Sequence, residues 1–224
     1  MEAHMSTRVL RLIEDRLESG TQVLLPAKNR IIYVVGGQAD IRSDESTERI
    51  NPNQAWHWDG ELNVSGGREG AKIWRWELVD APESDSGEVS GVGVASRAKL
   101  SAEIDVDDEG EYLMRCDRVD FPLGGVAYTH THQGPGTRCL FMGEFDVTVD
   151  GETKHINPGE PWFEAGPDPV YAEASKTELS AFIRVMILPR RLQGQSSIRY
   201  VNDEDINKPK TQTYTMLVDE PIEL

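Results

Sequence analysis

Along most of this chain the apolar residues come in short runs, many of them β-branched or aromatic, separated by Gly, Pro, Asn and Asp. That is the punctuation of strands joined by turns. Ile31 to Val35, Lys72 to Leu78, Phe145 to Val149 and Phe182 to Leu188 are the clearest such runs, and Asp150-Gly151 is a strong hairpin turn signal. The start reads differently. Val9, Leu10, Leu12, Ile13 and Leu17 fall on one helical stripe, with Ser6 placed to cap it and Gly20 to end it, so the pattern predicts a helix over Ser6 to Ser19. Ala81 to Gly93, rich in Ser, Gly, Glu and Asp, reads as an exposed linker between two halves. Beyond Arg190 the tail is polar, with strand-like patches at Ser197 to Val201 and Thr211 to Val218.

Sliding the chain by 106 positions lays Ile31 to Gly60 over Thr137 to Gly166 without a gap. Gly37, Asp40, Asp44, Thr47, Ile50-Asn51-Pro52, Trp56 and Gly60 then meet identical residues, and a slightly larger offset pairs Arg75 with Arg184. Chance would give roughly two matches in such a window at ordinary residue frequencies. Two copies of one β unit follow, an expectation that 224 residues can accommodate.

Composition narrows the function. The net charge of −16 excludes nucleic acid and an anionic membrane surface as expected partners, because phosphate binding needs clustered Lys and Arg. No apolar run is long enough to span a bilayer, and the first residues lack the pattern of a secretory signal, so a cytoplasmic location is expected. Cys116 and Cys139 lack CxxC spacing and read as small buried hydrophobes. The Gly134-Pro135-Gly136 turn lacks the following helix and Lys of a phosphate loop.

The chemistry concentrates at His130-Thr131-His132. In a strand, residues two apart share a face, so both imidazoles project together, a common beginning of a transition-metal site. Around them stand Gly124, the Gly-Pro-Gly turn, the strand Arg138 to Met142, Gly143, the hairpin, and Pro158-Gly159-Glu160. This order resembles the two motifs of the cupin superfamily, and through the repeat the resemblance extends to a bicupin. It implies an all-β fold of two tandem jelly-roll barrels behind the short N-terminal helix. The expected boundaries are 1–20 for the helix, 21–98 for a degenerate barrel, 99–190 for the barrel with the site and 191–224 for an extension.

The resemblance has two departures. Gly136 stands where the family carries a ligating Glu, and Val170 or Tyr171 where it carries a His. The remaining ligands of one divalent transition metal (Fe, Mn, Zn, Ni or Cu) are therefore sought nearby. Glu173 lies on the polar face of an alternating strand; Glu164 is a second oxygen donor, and Gln133 a weaker third. Arg138 shares the inward parity of Gly136 and suits a substrate carboxylate, with an internal ion pair to Glu164 or Glu173 as the alternative. Tyr128 and Tyr171 complete the expected substrate contacts. In the first half these positions are Leu24, Pro26, Ile32, Trp58, Ser65 and Gly67, so the second barrel is expected to be the working one. The resemblance implies a metal-dependent enzyme on a small, carboxylated organic substrate, first among them a mononuclear non-haem dioxygenase. An isomerase, lyase or aminohydrolase, or a non-catalytic ligand-binding barrel, are the alternatives, and a homodimer is the expected assembly.

Overall fold

The computed structural model describes residues 4–82 and 85–224. The chain runs through β1 (Met5–Leu17), β2 (Gln22–Leu25), β3 (Asn29–Arg42), β4 (Thr47–Ile50), β5 (Ala55–Trp58), β6 (Leu62–Asp80) and β7 (Val94–Asp107). It continues through β8 (Tyr112–Phe121), β9 (Val126–His132), β10 (Gly136–Met142), β11 (Phe145–Val149), β12 (Glu152–Ile156), β13 (Pro161–Glu164), β14 (Val170–Ala174) and β15 (Ser180–Pro189). A 3₁₀ turn at Arg190–Leu192, β16 (Ile198–Tyr200), the one-turn helix α1 (Asp203–Ile206) and β17 (Thr213–Ile222) complete it. Two compact units result, one of residues 1–110 with 222–224, the other of residues 111–221.

Strand pairing bears out the repeat residue by residue. Ile32 faces Trp56 and Ala39 faces Ile50 in the first unit; Arg138 faces Trp162 and Phe145 faces Ile156 in the second. Ile32 and Arg138 lie opposite Arg75 and Arg184 on their other sides. Gly37 and Gly143 both hold positive φ, 68° and 77°. At each, a Cβ would meet backbone atoms of the next strand. A glycine is required at both places.

In the first unit all seven strands join one sheet of order β4-β3-β6-β1-β7, with β2 on β6 and β5 on β3. Long β3 carries irregularities at Val34/Gly36 and Gly37/Ala39, which bend a strand and let one sheet wrap a core. Inside lie Leu25, Ile32, Val34, Ile41, Val64 and Ile73, with Trp56 and Trp58 against them. The second unit instead splits into two five-stranded sheets, β13-β10-β15-β8-β17 and β12-β11-β14-β9-β16. Phe121, Phe145, Trp162 and Phe182 form its aromatic centre, with ring centroids 4.9–6.0 Å apart.

The N-terminal segment corrects the helical expectation. Met5–Leu17 is a strand hydrogen-bonded on both sides, to β6 and to β7, with Leu10 to Asp15 buried without interruption. A central strand covered on both faces loses its alternation and can imitate a helical stripe. The imitation was completed by Arg11, Glu14 and Asp15, which look solvent-facing in sequence and are buried here. Nor is Ala81–Gly93 a linker between halves: it joins β6 to β7 inside the first unit, and positions 83 and 84 lie outside the described residues. The division therefore falls after position 110 rather than at 98, because β7 pairs with β1. Beyond Arg190 the tail is part of the second unit as far as Pro221, with β16 beside β9 and β17 beside β8. Cys116 and Cys139 are both buried, and neither is in a disulfide.

The first unit also holds a buried ionic cluster. Glu77 accepts from Arg11 Nε and Nη2 at 3.0 and 2.7 Å, from Arg30 Nε at 3.1 Å and from Arg75 Nη1 at 2.6 Å. Arg75 Nε donates to Asp15 at 2.8 Å, and Arg30 also donates to the carbonyls of Pro26 and Gly60. Burial pushes the Glu77 pKa up, but Arg75 and Arg30 outweigh it and hold the group at about 2. Removing this one anion takes a carboxylate from three buried guanidinium groups and leaves Arg30 with carbonyl acceptors only. Glu77→Gln should cost about 3–5 kcal/mol, the scale for breaking a buried ion pair, measured by urea denaturation at neutral pH. Because the folded pKa lies below the ordinary value of 4.5, this contribution is complete above that pH and fades as pH falls toward 2. The variant should lose that limb of the stability–pH curve.

Candidate functional site

In the second unit β9 delivers both histidines to the interior, and a bulge is what does so. On β14, Val170 faces His130 and Ala172 faces Ala127, so two steps on one strand span three on the other. The extra residue reverses the facing of everything beyond it. Ala127 points in, Tyr128 points out, and His130 and His132 point in again, both nearly buried at 7% and 5% exposure. The matching strand of the first unit, β2, pairs with β6 without any shift and turns Val23 and Leu25 inward instead.

The imidazoles meet edge to face, with His130 Nε2 3.2 Å from His132 Nε2. His130 Nδ1 lies 2.7 Å from the Tyr128 carbonyl, which can only accept, so Nδ1 carries the proton and Nε2 presents a lone pair. His132 Nδ1 lies 3.4 Å from Ser197 Oγ. Burial pushes the pKa of both imidazoles down, that of His132 to about 3, so both are neutral at neutral pH.

Glu164 supplies the carboxylate, and its position follows from the strand pairing. It faces Gly136 across β10 and β13, the place where the family pattern would put an acid on β10 itself. A Cβ at Gly136 would lie 2.6 Å from both Met186 Cγ and the Val185 carbonyl, so no side chain fits there. Glu164 Oε2 lies 3.3 Å from His132 Nε2 and 2.7 Å from Arg138 Nη2, while Oε1 accepts from Trp162 Nε1 at 2.8 Å. Burial pushes the Glu164 pKa up, but Arg138, His132 and Trp162 hold it well below the carboxylate range. Oε2 and Arg138 Nη2 touch at ion-pair distance without a well-directed hydrogen bond.

Arg138 is 1% exposed, donates to the Gly136 carbonyl at 2.6 Å, and is pushed down by burial to about 10, so it stays charged. Its partner is Glu164, the ion-pair alternative of the sequence reading, rather than an incoming carboxylate. Beside it Arg184 pairs with Asp117 at 2.9 Å. With His130, His132, Trp162, Tyr214 and a wall of Val, Ala and Phe, these groups close around a cavity of only about 20 Å³, room for about one water.

The remaining expected site residues lie elsewhere. Glu173 is partly exposed and pairs with Lys176 at 3.2 Å, because the inward face of β14 is the apolar one, Val170, Ala172 and Ala174. Tyr171 shares Glu173's outward face, so neither reaches the histidines. Tyr128 lies outside the cavity under Lys208 and Lys210, whose Nζ atoms sit 5.1 and 5.3 Å from its ring centre. Gln133 accepts from Arg199 at 2.6 Å on the surface. Sequence reasoning missed the Arg184–Asp117 pair, although the Arg75–Arg184 match was a signal for it. It also missed Ser197 and Tyr214, which lie in the polar tail. Among the described residues no group of three or more His, Cys, Asp or Glu is placed to hold a metal ion.

No protein-family model matches the chain, and no curated protein matches it significantly. Solved structures do resemble it. AerE from Microcystis aeruginosa is 12% identical over 81% of this chain and 88% of its own, with a TM-score of 0.59. A variant of Bacillus subtilis oxalate decarboxylase is 11% identical over 93% and 80%, with a TM-score of 0.63. A salicylate 1,2-dioxygenase from Pseudaminobacter salicylatoxidans is 10% identical over 94% and 75%, with a TM-score of 0.54. At such identities the likeness speaks for the fold alone, two tandem jelly-roll β-barrels. No helix of the described residues is long and apolar enough to cross a membrane.

The Arg138–Glu164 contact makes a stability prediction. Arg138→Met and Glu164→Leu should each cost about 3–5 kcal/mol, since each leaves a buried charge unmatched. The double variant Arg138→Met with Glu164→Leu should regain most of that loss, and thermal denaturation of the four proteins reads the coupling. Separately, the depressed folded pKa of His132 means that its contribution is intact above the ordinary value of 6.5 and lost as pH falls toward 3. His132→Gln should flatten stability over that window.

Proposed function

We propose that the second unit is a metal-dependent enzyme centre for a small carboxylated organic substrate, with mononuclear non-haem dioxygenase chemistry the specific form. The observation that carries this reading is the convergence of His130 Nε2, His132 Nε2 and Glu164 Oε2 at spacings of 3.2 and 3.3 Å. Donors bound at 2.0–2.2 Å to one ion stand roughly 3 Å apart. Two imidazoles with one carboxylate, and the other positions open, suit non-haem iron. Both rings are already neutral, and the Glu164 oxygen that faces them lacks a hydrogen bond. As placed, the three donors do not form a metal cage; they would hold one divalent transition ion only with Glu164 shared between it and Arg138. When bound, such an ion supplies Lewis acidity or an oxygen-binding position.

The chain's own residues do the rest. The Tyr128 carbonyl fixes the His130 tautomer, and Trp162 and Arg138 orient the carboxylate. Phe121, Phe145 and Phe182 exclude water from the inner end of the barrel. Two of the similar structures bear the names of enzymes for oxalate and salicylate, both small carboxylates, which supports the substrate class. A homodimer belongs to the same reading, and light scattering should return about twice 25.0 kDa.

A second reading, a non-catalytic barrel with Arg138 as its permanent internal cation, is favoured by the small closed cavity and the Arg138–Glu164 contact. Elemental analysis of protein purified without a histidine tag decides between them. The enzyme reading expects about one ion per chain after incubation with Fe(II), Mn(II) or Zn(II), and its loss in His132→Ala, because one imidazole with one carboxylate rarely retains a divalent ion. Failure to take up any of the three ions, or full retention by the variant, favours the second reading.

A further inference from the structure

The second unit has seven arginines, and five of them hold a carboxylate. Arg115 pairs with Asp219, Arg118 with Asp120, Arg138 with Glu164, Arg184 with Asp117 and Arg190 with Glu111. Arg191 and Arg199 have no acidic partner among the described residues, in a chain whose net charge is −16. Both line the same open hollow of about 300 Å³, completed by Thr131, His132, Gln133 and Pro167. No carboxylate lines it. Two guanidinium groups without counter-ions in one concave place, amid an acidic surface, are a recognition site for an anion.

The hollow is built on fixed backbone. Arg199 lies on β16 opposite Thr131, and its Nη2 donates to Gln133 Oε1 at 2.6 Å, which aims the planar fork. Arg191 sits in the 3₁₀ turn, anchored where Arg115 Nη2 donates to the Leu192 carbonyl at 2.6 Å. Next to Pro167, the Gly166 carbonyl accepts from His132 N at 2.7 Å, and at φ 113° a side chain there would strike Gly134. His132 lines both this hollow and the internal cavity. The internal cavity is too small for an organic acid, so the carboxylate must be recognised outside it.

We infer that the hollow binds the carboxylate of a small organic acid, with Arg191 and Arg199 as the recognising pair and His132 as the wall shared with the internal site. As the substrate-recognition half of the enzyme reading, this rests on that reading, but its binding chemistry does not require a metal.

The test is a titration of the metal-free full chain with succinate at low ionic strength, followed by calorimetry and by the nitrogen resonances of the His132 ring. Wild type should bind one succinate per chain and shift the His132 resonances. Arg191→Gln and Arg199→Gln, both at exposed positions, should each weaken binding roughly 10-fold or more, the scale of a lost charge-assisted hydrogen bond. Lys154→Gln, on the exposed strand β12, should leave affinity within about two-fold, where only long-range charge is removed. Absence of saturable binding, or equal affinity in the arginine variants, overturns the inference. So does inorganic phosphate binding as tightly as succinate with the same arginine dependence, which would assign the hollow to phosphate. Metal uptake measured on the same proteins keeps the two readings separate. Arginine-dependent succinate binding without any metal uptake sustains the hollow and sinks the metal centre; uptake with no succinate response does the reverse.

Discussion

A charge taken out of water into the interior of a β-barrel has to be matched there, and both units are organised by that constraint. The first buries Arg11, Arg30 and Arg75 around Glu77 and Asp15. The second buries Arg138 and Arg184 against Glu164 and Asp117. Arg75 and Arg184 are equivalent by strand register, so one inherited guanidinium lies at the heart of each arrangement. Around it the two copies have diverged in opposite directions. In the first, Glu77 and the carbonyls of Pro26 and Gly60 leave no guanidinium nitrogen of Arg30 unmatched, and an aliphatic cluster with Trp56 and Trp58 against it fills the core. In the second, the matching is thinner: Glu164 Oε2 and Arg138 Nη2 touch without a directed hydrogen bond, and the same oxygen faces a neutral imidazole. An ionic plug closes one barrel, while the other keeps an acceptor with capacity to spare.

What turns the second interior into a candidate site is a rearrangement of only a few residues. The bulge in β9 swings His130 and His132 inward, where the unbulged β2 presents valine and leucine. Gly136 vacates its own side-chain position, and the residue directly across the strand pair, Glu164, brings a carboxylate into the neighbourhood. In the first unit the corresponding pair is Arg30 opposite Trp58, and there the space is filled. One register shift and one glycine therefore separate a plugged barrel from one whose donors converge.

Much of this was legible in the residues themselves. The repeat matched register by register, because turn glycines and the Ile-Asn-Pro corner are demanded locally wherever they occur. The paired histidines and Glu164 were singled out by type and spacing. The expected inward placing failed at Tyr128 for one reason and at Tyr171 and Glu173 for another. Counting by twos holds only along an unbroken strand, and an amphipathic strand does not declare which of its faces is the wet one. On β14 the apolar face is inside, so the polar residues that attracted attention are those that left the site. The N-terminal strand failed differently: its charged residues seemed to mark a solvent face, whereas each meets a partner from a distant part of the chain, Arg11 with Glu77 and Asp15 with Arg75.

The sequence by itself determined the class of fold, the duplication, the turns and the identity of the donors, since these depend on interactions between neighbours or on residue chemistry. Tertiary structure alone decided which donors meet. That Arg138 answers to Glu164, that His132 borders both a closed cavity and an open hollow, and that two arginines of the second unit lack a carboxylate all depend on contacts between segments far apart in the chain. Ser197, Arg199 and Tyr214 reach the site only because β16 and β17 add to the edges of its two sheets. A polar tail carries no local signal of where it will pair, because an edge strand is chosen by the hydrogen-bonding row that it completes and not by its own hydrophobic pattern.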